Sequence, residues 1–189
     1  MPIDLGLSVK WANTNLQAAD ETKPGLYVSW GETKSKLWYL PNTYAYDGLS
    51  CSELEKKGII EKGGILTDMA DAATTALGKG WRIPTFREWA ELIEKCTWTV
   101  ITKNNIEGCQ VKGPNGNSIF IPALGFAVQN SHQNIGQIGA YWSKNIDASD
   151  DDKDWGANCM IVAPGDPNVE QRIVAFDAYV GAMVRPVME

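Results

Sequence analysis

Eight tryptophans stand in this 189-residue chain, against six tyrosines, four phenylalanines and a single histidine. Indole needs a large space in a core, and its N–H wants an acceptor once it is buried. With 18 glycines and nine prolines alongside, that many indoles point to a loop-rich domain whose core rests on large aromatics with a polar handle. The single histidine is equally restrictive. It excludes any zinc site built on two or more histidines, and a Ser-His-Asp triad would have only His132 to use.

The remaining composition narrows the class further. The chain is 44% hydrophobic and 21% charged, in keeping with an ordinary globular protein. Its length suits one domain, 1–189, able to bury a core without staples or metals. Seventeen basic against 23 acidic residues leave a net charge of −6, which argues against a nucleic-acid partner. No apolar run reaches the ~20 residues of a membrane span. Met1–Gly6 lacks the basic-then-apolar pattern of a signal peptide, so none is expected in this chain. Cys51, Cys96, Cys109 and Cys159 form no Cys-x-x-Cys pair, and sequence cannot choose among their three full pairings. Reduced, buried thiols are the expectation.

Periodicity supplies the elements. Leu5, Leu7, Val9 and Trp11 alternate with Asp4, Gly6, Ser8 and Lys10, which predicts a half-buried strand. Gly25–Gly31 predicts a second strand, and residues 32–64 a long, aperiodic excursion of the kind that is more often functional than idle. Leu66, Ala70, Ala73 and Leu77 predict a helix capped by Gly78. Thr85 and Glu88 form a capping box for a second helix that buries Trp89, Leu92, Ile93 and Cys96, with Glu91 and Lys95 paired outside. Strands are then expected at Thr97–Lys103, Cys109–Lys112, Ser118–Ile121, Ala140–Ser143, Cys159–Val162 and Ala182–Val187. The last would be an edge strand, because it carries Pro186. The predicted class is α+β, with loop-rich antiparallel strands and two helices.

At this point the residues resemble a known family. Asp4-Leu5-Gly6-Leu7-Ser8-Val9-Lys10-Trp11-Ala12, Trp30-Gly31-Glu32-Thr33 and Gly80-Trp81-Arg82-Ile83-Pro84-Thr85 are similar to blocks of the Fibrobacter succinogenes major paralogous domain. So are Asn115–Ala123, Gly139-Ala140-Tyr141-Trp142-Ser143 and Val184-Arg185-Pro186-Val187, in the family's order and from end to end. The resemblance implies a C-type-lectin-like fold, related to formylglycine-generating enzyme, with paired terminal strands. It also implies a Bacteroidetes protein displayed outside the cell, at a cell surface or on a phage virion. Lectin-like domains of this kind are targets of diversity-generating retroelements, and Tyr141 to Val187 resembles such a variable region. The Glu-Pro-Asn, Gln-Pro-Asp and Trp-Asn-Asp motifs of calcium-dependent lectins are absent, as is the cysteine pair of the formylglycine-generating relatives. Neither chemistry carries over.

In such a fold the C-terminal loops face the ligand. Lys144, Asn145, Asp147, Trp155, Asn158, Gln171, Arg172, Asp177 and Tyr179 are therefore the candidate ligand-binding residues, offering rings, amides and charges. Ser143–Trp155 and Ala163–Arg172 are expected to be loops. The acidic run from Asp147 to Asp154 lacks the glycine and terminal glutamate of an EF-hand. It is read as a solvated loop, with weak calcium binding as the alternative to no cofactor. His132 lies in a polar loop and is expected to be structural, and neither Ser131 nor Ser143 has an elbow motif. Arg82 and Glu88 are expected to pair, and Trp81, Trp142 and Arg185 to brace the frame. The resulting function is noncatalytic binding of a glycan or protein at a surface. The alternatives are a structural or tip subunit of a surface appendage, and an enzyme related to formylglycine-generating enzyme.

Overall fold

The N-terminal alternation survives as a pattern of burial but not as one strand. Leu5, Val9 and Trp11 are buried, while Asp4, Gly6, Ser8 and Lys10 are exposed. Gly6 adopts a φ of 76°, a left-handed conformation that glycine reaches without steric cost, within a turn that folds the segment back. Strand Pro2–Ile3 therefore pairs antiparallel with Lys10–Ala12. The computed structural model, which describes residues 1–148, 155–166 and 172–189, is a mixed α+β fold built mostly of antiparallel sheet.

The two ends of the chain meet. Val187–Met188 lies between Lys10–Ala12 and Trp81–Arg82 in a four-stranded sheet, so the terminal strands pair. The predicted strand Ala182–Val187 is divided, however. Ala182–Met183 belongs to the central sheet, and the chain crosses to the terminal sheet through Val184, Arg185 and Pro186. Pro186 sits in this crossing and not on an edge strand, so its missing N–H costs no ladder bond.

Arg185 holds the crossing. It is fully buried; its Nε donates to Asn15 Oδ1 (2.9 Å), Nη1 to the Ala12 carbonyl (3.2 Å) and Nη2 to the Phe120 carbonyl (2.9 Å). Among the described residues no carboxylate forms an ion pair with it.

The central sheet is built on Gly139–Ala148 and Trp155–Val162, with Arg172–Phe176 beyond the latter. Leu124–Val128 and Ser131–Ile135 extend it on the other side. Both faces are covered. Tyr141, Met160 and Met183 point into one core, and Ala140, Trp142, Cys159 and Ile161 into the other. This is the alternation expected of a sheet sandwiched between layers.

Among the described residues there are three α-helices where two were expected: α1 (Cys51–Lys56), α2 (Ala72–Leu77) and α3 (Phe86–Lys95). The additional α1 lies inside the excursion and carries its own capping box, Ser50 with Glu53. The stripe predicted for α2 holds only in part. Leu66 is in a strand, Ala70 in a 3-10 turn, and Leu77 is 46% exposed. The helix instead starts where Asp71 accepts from the amides of Ala73 (2.9 Å) and Thr74 (3.0 Å), and it ends at Gly78 as predicted.

Helix α3 follows the prediction closely. Thr85 accepts from the Glu88 amide and Glu88 from the Thr85 amide. Trp89 and Leu92 are buried, Ile93 and Cys96 partly so. Glu91 pairs with Lys95 at 2.8 Å. Arg82 grips Glu88 through two bonds of 2.8 and 2.6 Å. Beyond α3, Thr97–Lys103 pairs along its length with Ile106–Lys112 across Asn104-Asn105, both at positive φ, and Ser118–Pro122 completes a three-stranded sheet.

Two outcomes follow. Arg185→Met removes a charged donor from three acceptors at once and is expected to destabilise the fold by about 3–5 kcal/mol; an unchanged urea midpoint would contradict this. Burial pushes the Glu88 carboxyl up, but the Arg82 guanidinium and the Thr85 amide outweigh it and hold the group below its ordinary 4.5. A carboxylate depressed by folding adds stability that is complete above its unfolded value and is lost as pH falls through its folded one. Glu88→Gln should thus cost about 1–2 kcal/mol at neutral pH. Its deficit relative to the native chain should shrink on acidification below 4.5, as read by denaturation at a series of pH values.

Candidate functional site

The strand pair Gly139–Ala148 and Trp155–Val162 decides which candidate residues reach solvent. Its register runs from Trp142 opposite Cys159 to Ile146 opposite Ala157, so Ser143, Lys144 and Asn145 together face the single residue Asn158. Such a bulge bends the strand and re-aims its side chains. Lys144 turns inward: it is only 7% exposed, its Nζ lies 3.5 Å from the buried Asp71 carboxylate, and its N–H bonds Pro84. Asn145 accepts from the Phe86 amide at the start of α3 (2.9 Å), and Asn158 donates to the Ile146 carbonyl (3.3 Å). Residues 143–148 are thus strand, not loop, and Lys144 is a frame residue whose charge is spent on Asp71. Asn145 and Asn158 likewise direct their amides to the backbone.

Three other candidates come together. Trp155, Asp177 and Tyr179 line one cleft of about 220 Å³ with Pro41, Tyr44, Tyr46, Asp47, Gly48 and Ala178. The Trp155 ring packs 5.7 Å from Trp30 and 6.2 Å from Tyr44, and its Nε1 donates to the Leu49 carbonyl (2.7 Å). It is both a core residue and a wall of the cleft. Tyr44 and Tyr46 meet edge to face at 5.4 Å and donate their hydroxyls to the carbonyls of Trp30 (2.8 Å) and Gly31 (3.1 Å). The turn carrying Asp177 and Tyr179 is tied down through its backbone. Trp30 N–H bonds Ala178 at 2.9 Å, and Ser29 donates to the Tyr179 carbonyl at 2.7 Å.

The excursion supplies the opposite wall. Tyr39 and Gln129 exchange backbone bonds of 2.8 and 3.0 Å, and Pro41–Thr43 then forms a 3-10 turn. Lys36 seals its rear: Nζ pairs with Glu32 (2.8 Å), donates to the Thr43 carbonyl (3.0 Å) and stands 5.6 Å from the rings of both Tyr39 and Tyr44. Burial raises the Tyr44 and Tyr46 hydroxyls, with nearby carboxylates adding to the effect. Burial also raises Tyr179, helped by Asp177. These phenols stay neutral in ordinary conditions. Tyr44, Tyr46 and Asp47 were not among the candidates; the aperiodic, tyrosine-bearing segment was the available signal.

The remaining candidates stand elsewhere. Asp147 is exposed and lines a separate cleft with Cys51, Glu55 and Gly64. Arg172 is exposed at the start of the strand Arg172–Phe176, not in a loop. Gln171 and the acidic run 149–154 lie outside the described residues. Among the described residues no cluster of three or more His, Cys, Asp or Glu is placed to hold a metal.

His132 is in the exposed strand Ser131–Ile135 and not a loop. Its ring lies 4.5 Å from Tyr27, at a larger cleft of about 520 Å³. The cysteines form no disulfide: Cys109 and Cys159 are buried, Cys51 and Cys96 half-buried. Burial pushes the thiols of Cys96 and Cys159 up.

The double duty of Trp155 has a measurable consequence. Trp155→Ala is expected to cost about 2–3 kcal/mol, below the usual range for a fully buried tryptophan. Tyr179→Ala should cost under about 1 kcal/mol, because its anchor is backbone. Equal losses in chemical denaturation would refute the assignment of Trp155 to the frame. Comparison of the chain with protein-family models, curated proteins and solved structures gave no match.

Proposed function

We propose that this chain is a noncatalytic recognition domain of C-type-lectin-like fold that binds a glycan or protein at a cell or virion surface. One observation carries the reading: Trp155, Asp177 and Tyr179, expected in the sequence to face a ligand, gather with Tyr44, Tyr46 and Asp47 around one cleft. Part-buried aromatic rings held by the frame, beside exposed carboxylates, suit reversible contact. Paired terminal strands agree with the lectin-like resemblance. The upward shift of the Cys96 and Cys159 thiols argues against nucleophilic cysteine chemistry at those positions.

The buried bulge also bears on a diversified C-terminal region. Changes there are tolerated at exposed positions such as Asp177, and penalised at Lys144, where they would strand the Asp71 carboxylate.

An array of glycans and surface proteins, probed with and without calcium, tests the function. Ligands found with the native chain should bind roughly tenfold more weakly to Tyr179→Ala, the loss usual for one interface aromatic. Ligands that bind this variant and Asp177→Asn as well as the native chain would place recognition outside the cleft.

A further inference from the structure

We infer that the cleft selects a positively charged group, the ammonium or guanidinium of a lysine or arginine side chain on a protein partner. This rests on reading the cleft as the recognition site, and it identifies the chemistry recognised there.

The lining is one-sided. Tyr44, Tyr46, Trp155 and Tyr179 supply ring surface, Asp47 and Asp177 supply carboxylates, and among the described lining residues there is no basic side chain. Aromatic faces carry the negative part of the ring quadrupole and attract cations. A carboxylate in each wall, Asp47 and Asp177, adds to that field and repels phosphate, sulfate or another carboxylate.

The polar ends of the rings strengthen the case. The Tyr44 hydroxyl, the Tyr46 hydroxyl and the Trp155 indole N–H all donate to backbone carbonyls of the frame. With these donors spent, the three residues offer ring faces and, from the two phenols, acceptor lone pairs, so they are poor donors for sugar hydroxyls. Asp47 and Asp177 then dominate the polar recognition, and carboxylates accept hydrogen bonds only. A ligand rich in donors and carrying positive charge matches this lining.

The molecule already uses the same chemistry next door. Lys36 Nζ is held by Glu32, a backbone carbonyl and the rings of Tyr39 and Tyr44. Tyr44 is shared between that internal cation and the cleft.

Size favours a side chain over a larger ligand. The cleft measures about 220 Å³, below the ~300–1,000 Å³ typical of pockets that enclose small molecules. The chain's net charge of −6 would speed encounter with a basic partner.

The test titrates the full chain with Nα-acetyl-lysine methylamide, its arginine counterpart and the neutral norleucine isostere. The readout is the Trp155 indole N–H resonance, identified by its loss in Trp155→Phe. The lysine and arginine probes should shift this resonance saturably, more weakly at high salt, and norleucine should not. The double variant Asp47→Asn, Asp177→Asn should weaken the response by roughly tenfold or more with an unchanged melting temperature.

An equal response to norleucine, or an undiminished response in the double variant, would overturn the inference. So would tighter binding of phosphocholine, which would point to a lipid headgroup, or displacement of the probes by calcium. If array ligands depend on Tyr179 while the cationic probes do nothing, this inference fails and the recognition site stands. If the array ligands also ignore the cleft, the site itself is wrong.

Discussion

A buried guanidinium that pairs with no carboxylate among the described residues is the constraint around which this fold closes. Taking Arg185 out of water is expensive unless every donor finds an acceptor. Its partners are Ala12, Asn15 and Phe120, which lie 173, 170 and 65 residues away in the chain. None of them is available until the N-terminal hairpin, the three-stranded sheet and the C-terminal crossing have all arrived. The charge therefore makes closure of the two chain ends conditional on the rest of the fold. Asp71 and Lys144 play a related part on the other face of the central sheet. Asp71 caps α2, receives the Ile83 amide and faces Lys144, so one carboxylate ties helix, terminal-sheet approach and bulge together.

The indoles extend that logic to neutral groups. Trp142 donates to the Val28 carbonyl at 2.7 Å and Trp30 to the Ser143 carbonyl at 2.9 Å, a reciprocal lock between the segment around Tyr27–Val28 and the strand Gly139–Ala148. Trp89 donates from α3 to the Trp142 carbonyl at 3.2 Å. Each ring fills a core while its N–H satisfies a carbonyl, which is how a loop-rich chain covers backbone that no ladder pairs. Trp11 departs from the pattern. Its buried N–H has no hydrogen-bond partner among the described residues, and the ring instead stacks obliquely on Trp89 at 4.7 Å, so packing there outweighs an unmade bond.

Local chemistry was readable in the sequence, and pairing between distant segments was not. The capping box of α3, the Arg82–Glu88 pair and the Asn104-Asn105 turn depend on residues close in the chain, and each stands where its pattern puts it. Gly6 and Pro186 were also visible, yet the breaks they mark needed knowledge of which strand lies alongside. Lys144 shows the limit most clearly. In the sequence it is a charged residue in a supposed loop; in the fold a bulge opposite Asn158 sends it toward Asp71. Register is a property of two strands, and one strand's residues do not contain it. The cleft was half legible for the same reason. Its C-terminal wall came from residues suited to recognition, while Tyr44, Tyr46 and Asp47 join it through contacts of the excursion with distant segments, Tyr39 with Gln129 and Leu49 with Trp155.

Frame and cleft are not separate parts of this molecule, and that bears on how it would bind. Trp155 touches Trp30, whose indole N–H is committed to the bulged strand, and Tyr44 and Tyr46 hang their hydroxyls on the carbonyls of Trp30 and Gly31. The walls are therefore set by the same bonds that hold the cores together. Side chains fixed in this way lose little rotamer freedom when a ligand arrives, so more of the contact energy appears as affinity. The same economy limits what can change. Asp47 and Asp177 carry the polar character of the cleft without supporting the frame through their side chains. On the proposed function, selectivity is free to vary at these carboxylates, while the rings behind them stay tied to folding.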